Sequence, residues 1–199
     1  MYIESWFATP IYFTKFGDDI LPVVQQELRE VVDQTQDQLQ SNLAGSHALS
    51  DPLFETNLFE DFDLNNFQQE LAKHILLYAG QCSGKTWDTD DFAITASWIT
   101  QNRKHSYAIP HSHGTSDVAG CYYYKTNQRD GNIFFQNPNK LLVNSRLFNQ
   151  HSVIEYVPEV GKLILFPGWL DHGVLKNTTT NTRISFSFNV RFKERSRYA

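Results

Sequence analysis

The feature that most constrains this chain is a change of texture part-way along it. Up to about residue 80 the apolar residues recur at helical spacing; after Trp87 they fall in short β-branched and aromatic runs separated by Gly, Pro, Asn and Asp. Leu21, Val24, Leu28, Val31, Val32 and Leu39 predict an amphipathic helix over residues 19–40. Phe67, Leu71, His74, Ile75 and Tyr78 predict a second over 64–79, with Asp63 as its N-cap and Gly80 as its stop. His74 falls on the apolar side of that helix and reads as a core or boundary residue. An opening segment, 6–16, reads as a strand that Pro10 confines to an edge or entry position and Gly17 ends. The later runs, 92–100, 120–124, 132–135, 152–157, 162–166 and 183–190, have the spacing of an antiparallel sandwich or barrel. Helices first and strands afterwards predict an α+β domain with two N-terminal helices packed on one sheet.

No internal repeat or linker divides the chain, so residues 1–199 are expected to form a single domain. A domain of this size buries roughly 70% of the surface its unfolded chain exposes. Acidic residues outnumber basic ones, 22 to 17. Without a Lys/Arg cluster, the chain lacks the positive surface that a nucleic-acid backbone requires. The basic tail Arg191, Lys193, Arg195 and Arg197 reads as a solvated end. The first residues lack the basic and apolar regions of a secretory signal, and no run approaches the roughly 20 apolar residues of a membrane span. A cytoplasmic protein with no membrane partner is the expectation. Cys82 and Cys121 read as free thiols. The long stretch from Leu43 to Asp61, with little periodicity, is a candidate lid. Nothing in the pattern specifies an oligomeric state.

The chemistry concentrates in the C-terminal half. His111-Ser-His113 follows Pro110; if that segment is extended, residues two apart share a face and both imidazoles aim at one point. His172 follows the run from Gly161 to Asp171, and in a sandwich a strand some sixty residues later returns readily beside the first. Three convergent imidazoles leave coordination positions open on a metal and suit Fe(II), Zn(II), Cu(II) or Ni(II) alike. Arg183 and Ser185 alternate onto one face of a strand. A guanidinium inside a barrel must be paired, and its fork matches a carboxylate, so a diacid could reach from Arg183 to the metal. Tyr122 and Tyr124 share a face and are candidates to hydrogen-bond that diacid, with core packing as the competing role. Asp171 reads as a turn residue, and His47, His105 and His151 as surface or loop residues.

Several motifs together resemble a known family. They are His111-Ser-His113 before Ala119-Gly-Cys-Tyr-Tyr-Tyr124, then Leu165-Phe-Pro-Gly-Trp-Leu-Asp-His172, then Arg183-Ile-Ser-Phe-Ser-Phe-Asn189, with Phe7-Ala-Thr-Pro-Ile-Tyr12 at the start. The combination is similar to the 2-oxoglutarate/Fe(II) oxygenases related to prolyl hydroxylases. That resemblance implies a double-stranded β-helix (jelly-roll, cupin-like) fold. It implies Fe(II) as cofactor and 2-oxoglutarate as co-substrate, the far carboxylate of the latter held by Arg183. It also implies hydroxylation of a small-molecule or peptide substrate, such as a prolyl residue, with release of succinate and CO2.

The chain departs from the broader pattern at one place. The usual facial triad is two histidines and one carboxylate, the carboxylate lying two residues after the first histidine; here that position is His113. Either His113 ligates and the site is all-histidine, or Asp117 folds back to supply an anion. The first needs only the i, i+2 geometry of an extended segment, whereas the second needs a turn through Gly114. Two other functions remain open at this stage: a non-catalytic, metal-binding cupin-like protein, and a three-histidine iron dioxygenase that does not use 2-oxoglutarate.

Overall fold

The computed structural model describes residues 8–41, 57–141 and 151–193. Among them, nine strands form two sheets in which every strand pairing is antiparallel. The larger sheet runs β1 (Tyr12–Lys15), β7 (Lys162–Pro167), β4 (Val118–Lys125), β9 (Arg183–Phe192), β2 (Phe92–Asn102). The smaller runs β3 (Ala108–His111), β8 (His172–Val174), β5 (Ile133–Gln136), β6 (Val153–Tyr156). The helices are α1 (Leu21–Ser41), α2 (Leu58–Asp61) and α3 (Asn65–Ser83). The result is the α+β antiparallel sandwich expected, with helices on the outer face of the larger sheet. No described helix is long and apolar enough to cross a membrane.

Period-2 alternation splits the larger sheet into two chemistries. Its outer face carries Ile99 from β2, Tyr122 from β4, Leu163 and Leu165 from β7, and Ile184, Phe186, Phe188 and Val190 from β9. These pack with Val24, Leu28 and Val31 of α1 and Phe67, Leu71 and Ile75 of α3 in one buried cluster. The predicted helical stripes are therefore the sides that seal this sheet. The inner face contributes Ala119, Cys121, Tyr123, Ile164 and Phe166 to a second cluster, with Ile133 and Phe135 of β5 opposite.

The helix ends differ from expectation for tertiary reasons. The residue that stops α3 is Gly84, in the left-handed conformation at φ 67° with its N–H on the Gly80 carbonyl; Gly80 itself lies inside the helix. The N-terminal amides of α3 are capped from α1: Glu27 accepts from the backbone N–H of Asn66 (3.0 Å) and of Phe67 (2.9 Å). Asp63 accepts instead from the Asn65 side chain. Within the stretch considered as a lid, Asn57–Asp61 is packed on β2: the Leu58 N–H donates to Ser97 Oγ (2.7 Å) and Leu58 is buried. The rest of that stretch, His47, and the tail residues Arg195 and Arg197 lie outside the described residues. Cys82 and Cys121 are free thiols, the first exposed and the second buried.

Candidate metal centre and anion pocket

Strand pairing brings the histidines together. His111 and His172 are direct cross-strand partners in the β3–β8 ladder, and Phe135 of β5 flanks His172 on its other side. Pro110 is tolerated because β3 is an edge strand. His113 lies two residues past the end of β3, immediately before the turn at Gly114 and Thr115, and its ring converges with that of His111 as the i, i+2 spacing leads one to expect. Two backbone bonds hold that turn: the His113 N–H donates to the Gly168 carbonyl (2.7 Å) and the Ser116 N–H to the His113 carbonyl (2.8 Å). Position 168 must be glycine, since a Cβ there would stand 2.1 Å from the Ser116 carbonyl oxygen.

The potential ligand atoms of His111, His113 and His172 all lie within 4.8 Å of one another. Nδ1 of His172 donates to the Leu170 carbonyl (3.0 Å), and Nδ1 of His111 to the Ile109 carbonyl (2.8 Å). A carbonyl can only accept, so each Nδ1 carries the proton and each Nε2 keeps its lone pair for a metal. Burial depresses the His172 imidazole to about 3 and the His113 imidazole to about 4, the neighbouring histidines adding to the shift. Both rings are therefore neutral near pH 7 and need shed no proton to ligate. A neutral, convergent three-nitrogen set with open positions fits Fe(II).

Asp117 does not join them. It is exposed, and its Oδ2 accepts from the Phe192 backbone N–H (2.7 Å). The carboxylate considered as an alternative ligand instead ties the end of β9 to the start of β4.

The histidines open into a cavity of about 730 Å³ between the sheets, lined also by Arg183, Ser185, Tyr123 and Cys121. Arg183 is only 1% exposed. Its Nη1 donates to the Gly131 carbonyl and its Nη2 to Asn102 Oδ1 (2.8 Å), both neutral acceptors, while Nε has no partner among the described residues. Among the described residues no carboxylate forms an ion pair with it. The guanidinium also lies 5.7 Å from the Tyr123 ring centroid. Asn102 is held in turn by Asn177, which donates to its carbonyl (2.9 Å). A buried guanidinium with neutral partners and a spare donor has the chemistry to receive an anion.

The tyrosine assignment needs correction. Tyr122 and Tyr124 face the helices: Gln25 donates to the Tyr122 hydroxyl (3.3 Å), and Tyr124 packs on Phe186 with ring centroids 6.1 Å apart. The tyrosine in the cavity is Tyr123, paired in register with Ser185, and burial keeps its phenol protonated. Three tyrosines in a row carry no hydrophobic alternation, but pairing β4 with the Arg183–Ser185 strand would have selected Tyr123. Asn102 and Gly131, which brace Arg183 from distant points in the chain, had no signal of their own. His74 is a boundary residue as expected, bonded to the Tyr12 hydroxyl (2.8 Å) and stacked on Phe16. Asp171, His105 and His151 lie outside the histidine group.

Fold and site together define a double-stranded β-helix in which three histidines converge on one point and could hold a metal ion. Residues 96–189, a little under half of the chain, match the family described as "Putative 2OG-Fe(II) oxygenase". No curated protein matches the chain in sequence. Solved structures with the same fold include HygX of Streptomyces hygroscopicus with nickel and 2-oxoglutarate bound, at 12% identity and TM-score 0.60, covering 93% of this chain and 83% of that one. A prolyl-4-hydroxylase of Pseudomonas putida aligns at 12% identity and TM-score 0.58, covering 94% of each chain. SnoN, an α-ketoglutarate-dependent epimerase from nogalamycin biosynthesis, aligns at 11% identity and TM-score 0.58, covering 92% of this chain and 78% of that one.

Proposed function

We propose that this protein is an Fe(II)- and 2-oxoglutarate-dependent dioxygenase that hydroxylates a C–H bond of a small-molecule or peptide substrate. The observation that carries the reading is Arg183: a buried guanidinium with no carboxylate partner among the described residues, in the same cavity as three convergent imidazoles. A metal-binding protein of purely structural role, or a three-histidine dioxygenase without a diacid co-substrate, has no use for that charge.

His111, His113 and His172 would hold the iron, and Arg183 the distal carboxylate of 2-oxoglutarate. Bound iron would use O2 as the oxidant with 2-oxoglutarate as the two-electron reductant, which would leave as succinate and CO2, one oxygen atom entering the substrate C–H bond and the other the succinate. The protein's part is orientation and shielding. The Leu170 and Ile109 carbonyls fix two ring orientations. The Phe135 and Phe166 rings, 6.0 and 4.6 Å from the His172 ring, exclude water behind the ligands. Asn102 and Gly131 fix the guanidinium while leaving Nε to the incoming carboxylate. The prolyl hydroxylase and the epimerase share this fold yet differ in outcome, because the reaction is set by the residues lining the site and not by the fold.

Calorimetry on protein loaded with Fe(II) under nitrogen tests the reading. 2-Oxoglutarate should bind the wild type, and Arg183→Ala should weaken binding by about 2–5 kcal/mol, roughly 30-fold to several thousand-fold. Equal binding by both proteins, or none by the wild type, would overturn it.

A further inference from the structure

Strand β9 runs the length of the cavity and turns Arg183, Ser185, Ser187 and Asn189 towards it. At about 3.3 Å per residue its two end positions are roughly 20 Å apart. The histidines sit level with the middle: Trp98 pairs in register with Ser187, and its ring lies 5.7 Å from that of His113. The cavity therefore has two halves, one on each side of the metal centre. Arg183 ends the first half and Asn189 the second.

Among the described residues, two buried side-chain atoms lack a hydrogen-bond partner: Arg183 Nε and Asn189 Oδ1. Both residues line this cavity. Buried polar atoms are almost always paired, so two orphans in one cavity mark places where a ligand completes the bonding. The Asn189 half lies beside a β-bulge: Ile94 pairs with Val190 and Ala96 with Asn189, and the exposed Thr95 between them lines the cavity, its hydroxyl donating to the Asn189 carbonyl (3.4 Å). No acidic side chain and no lysine lines the cavity, and Arg183 at the far end is its one arginine among the described residues. A charged group entering the Asn189 half would be desolvated without compensation.

We propose that Asn189 is a substrate-binding residue, and that its half of the cavity receives an uncharged group bearing an N–H or O–H donor, such as an amide or alcohol. This rests on the dioxygenase reading for the assignment of the opposite half to 2-oxoglutarate. A five-carbon diacid held at Arg183 and ligated at the histidines leaves the Asn189 end free for the molecule to be oxidised.

The test is ligand-observed NMR on the protein loaded with Zn(II) and 2-oxoglutarate, using neutral amides and alcohols with matched carboxylates and amines as probes. Neutral donors should bind and the charged analogues should not. Asn189→Leu should weaken the neutral donors at least tenfold while 2-oxoglutarate affinity stays within twofold, which also reports an intact fold. Asn189→Asp, which keeps the acceptor, should retain them and newly admit amines. Charged probes binding as well as neutral ones, no neutral probe binding, or Asn189→Leu behaving as wild type would each overturn the proposal. Failure of 2-oxoglutarate to bind the wild type would instead strike at the dioxygenase reading. Probe binding to the Zn(II)-only protein would still decide the role of Asn189.

Discussion

The two faces of β9 are built for opposite purposes. Ile184, Phe186, Phe188 and Val190 point towards the helices and are buried among apolar neighbours. Arg183, Ser185, Ser187 and Asn189 point into the cavity, and two of them have polar atoms without partners among the described residues. The outer face meets the folding requirement so fully that the inner one can carry a buried charge and orphaned donors and acceptors. Such groups each cost folding free energy. The same division runs through β4, where Tyr122 is sealed beneath Gln25 and α1 while Tyr123 lies beside Arg183.

Neighbouring residues on β9 offer the largest test of this division. Phe186 is 2% exposed and meets Phe67 edge-on at 6.0 Å between centroids. Phe186→Ala should cost about 3–5 kcal/mol in denaturant unfolding. Ser185→Ala, one residue away on the cavity face, should cost about 1 kcal/mol or less. Equal losses would mean that the cavity face contributes as much to the fold as the helix face, and the division would be wrong.

A smaller effect comes from acid. The unfolded chain protonates its histidines near pH 6.5, whereas in the folded metal-free protein burial holds His172 at about 3 and His113 at about 4. The folded pKa is depressed, so the native state resists the proton that the unfolded state accepts. Stability is therefore fully present above about pH 6.5 and falls as the pH drops towards the folded values. For His172 alone, the folded-to-unfolded ratio should fall roughly 30-fold by pH 5. His74 on the helix side, also depressed by burial, acts in the same direction. Denaturant midpoints of metal-free protein measure the slope, and His172→Asn should flatten it. An unaltered slope in that variant would move its cause from the cavity to the helix face.

What could be read from the sequence follows from the range of the forces involved. Helical and period-2 stripes are local, so both main helices and most strands were legible, as were the three histidines and Arg183 as a group. Features set by distant partners were not. Glu27 caps α3 from another helix, making Asp63 a misleading signal, and Gly84 stops the helix because its backbone, unlike that of Gly80, turns left-handed. Tyr122 and Tyr124 were misassigned because the run Tyr122-Tyr123-Tyr124 gives no clue to facing, which only the register against Ser185 resolves. Asn189 ends the run that begins at Arg183, yet only an oxygen without a partner among the described residues and the shape of the cavity single it out.

The smallest expected effect bears on the third metal ligand. Asp117 is exposed and spends its carboxylate on the Phe192 N–H, outside the cavity lining, whereas His113 sits with its ring 5.1 Å from that of His172. Asp117→Ala should therefore cost about 1 kcal/mol of stability, the worth of a single hydrogen bond at the end of a strand. It should leave Fe(II) affinity unchanged in a competition titration against a chelator. His113→Ala should lose iron under the same conditions. If the aspartate variant releases iron and the histidine variant keeps it, the centre is a two-histidine, one-carboxylate triad reached by a rearrangement of the Gly114 turn. The two faces of the larger sheet would then be coupled through β4, since the carboxylate would have to abandon Phe192 at the end of β9 in order to reach the metal.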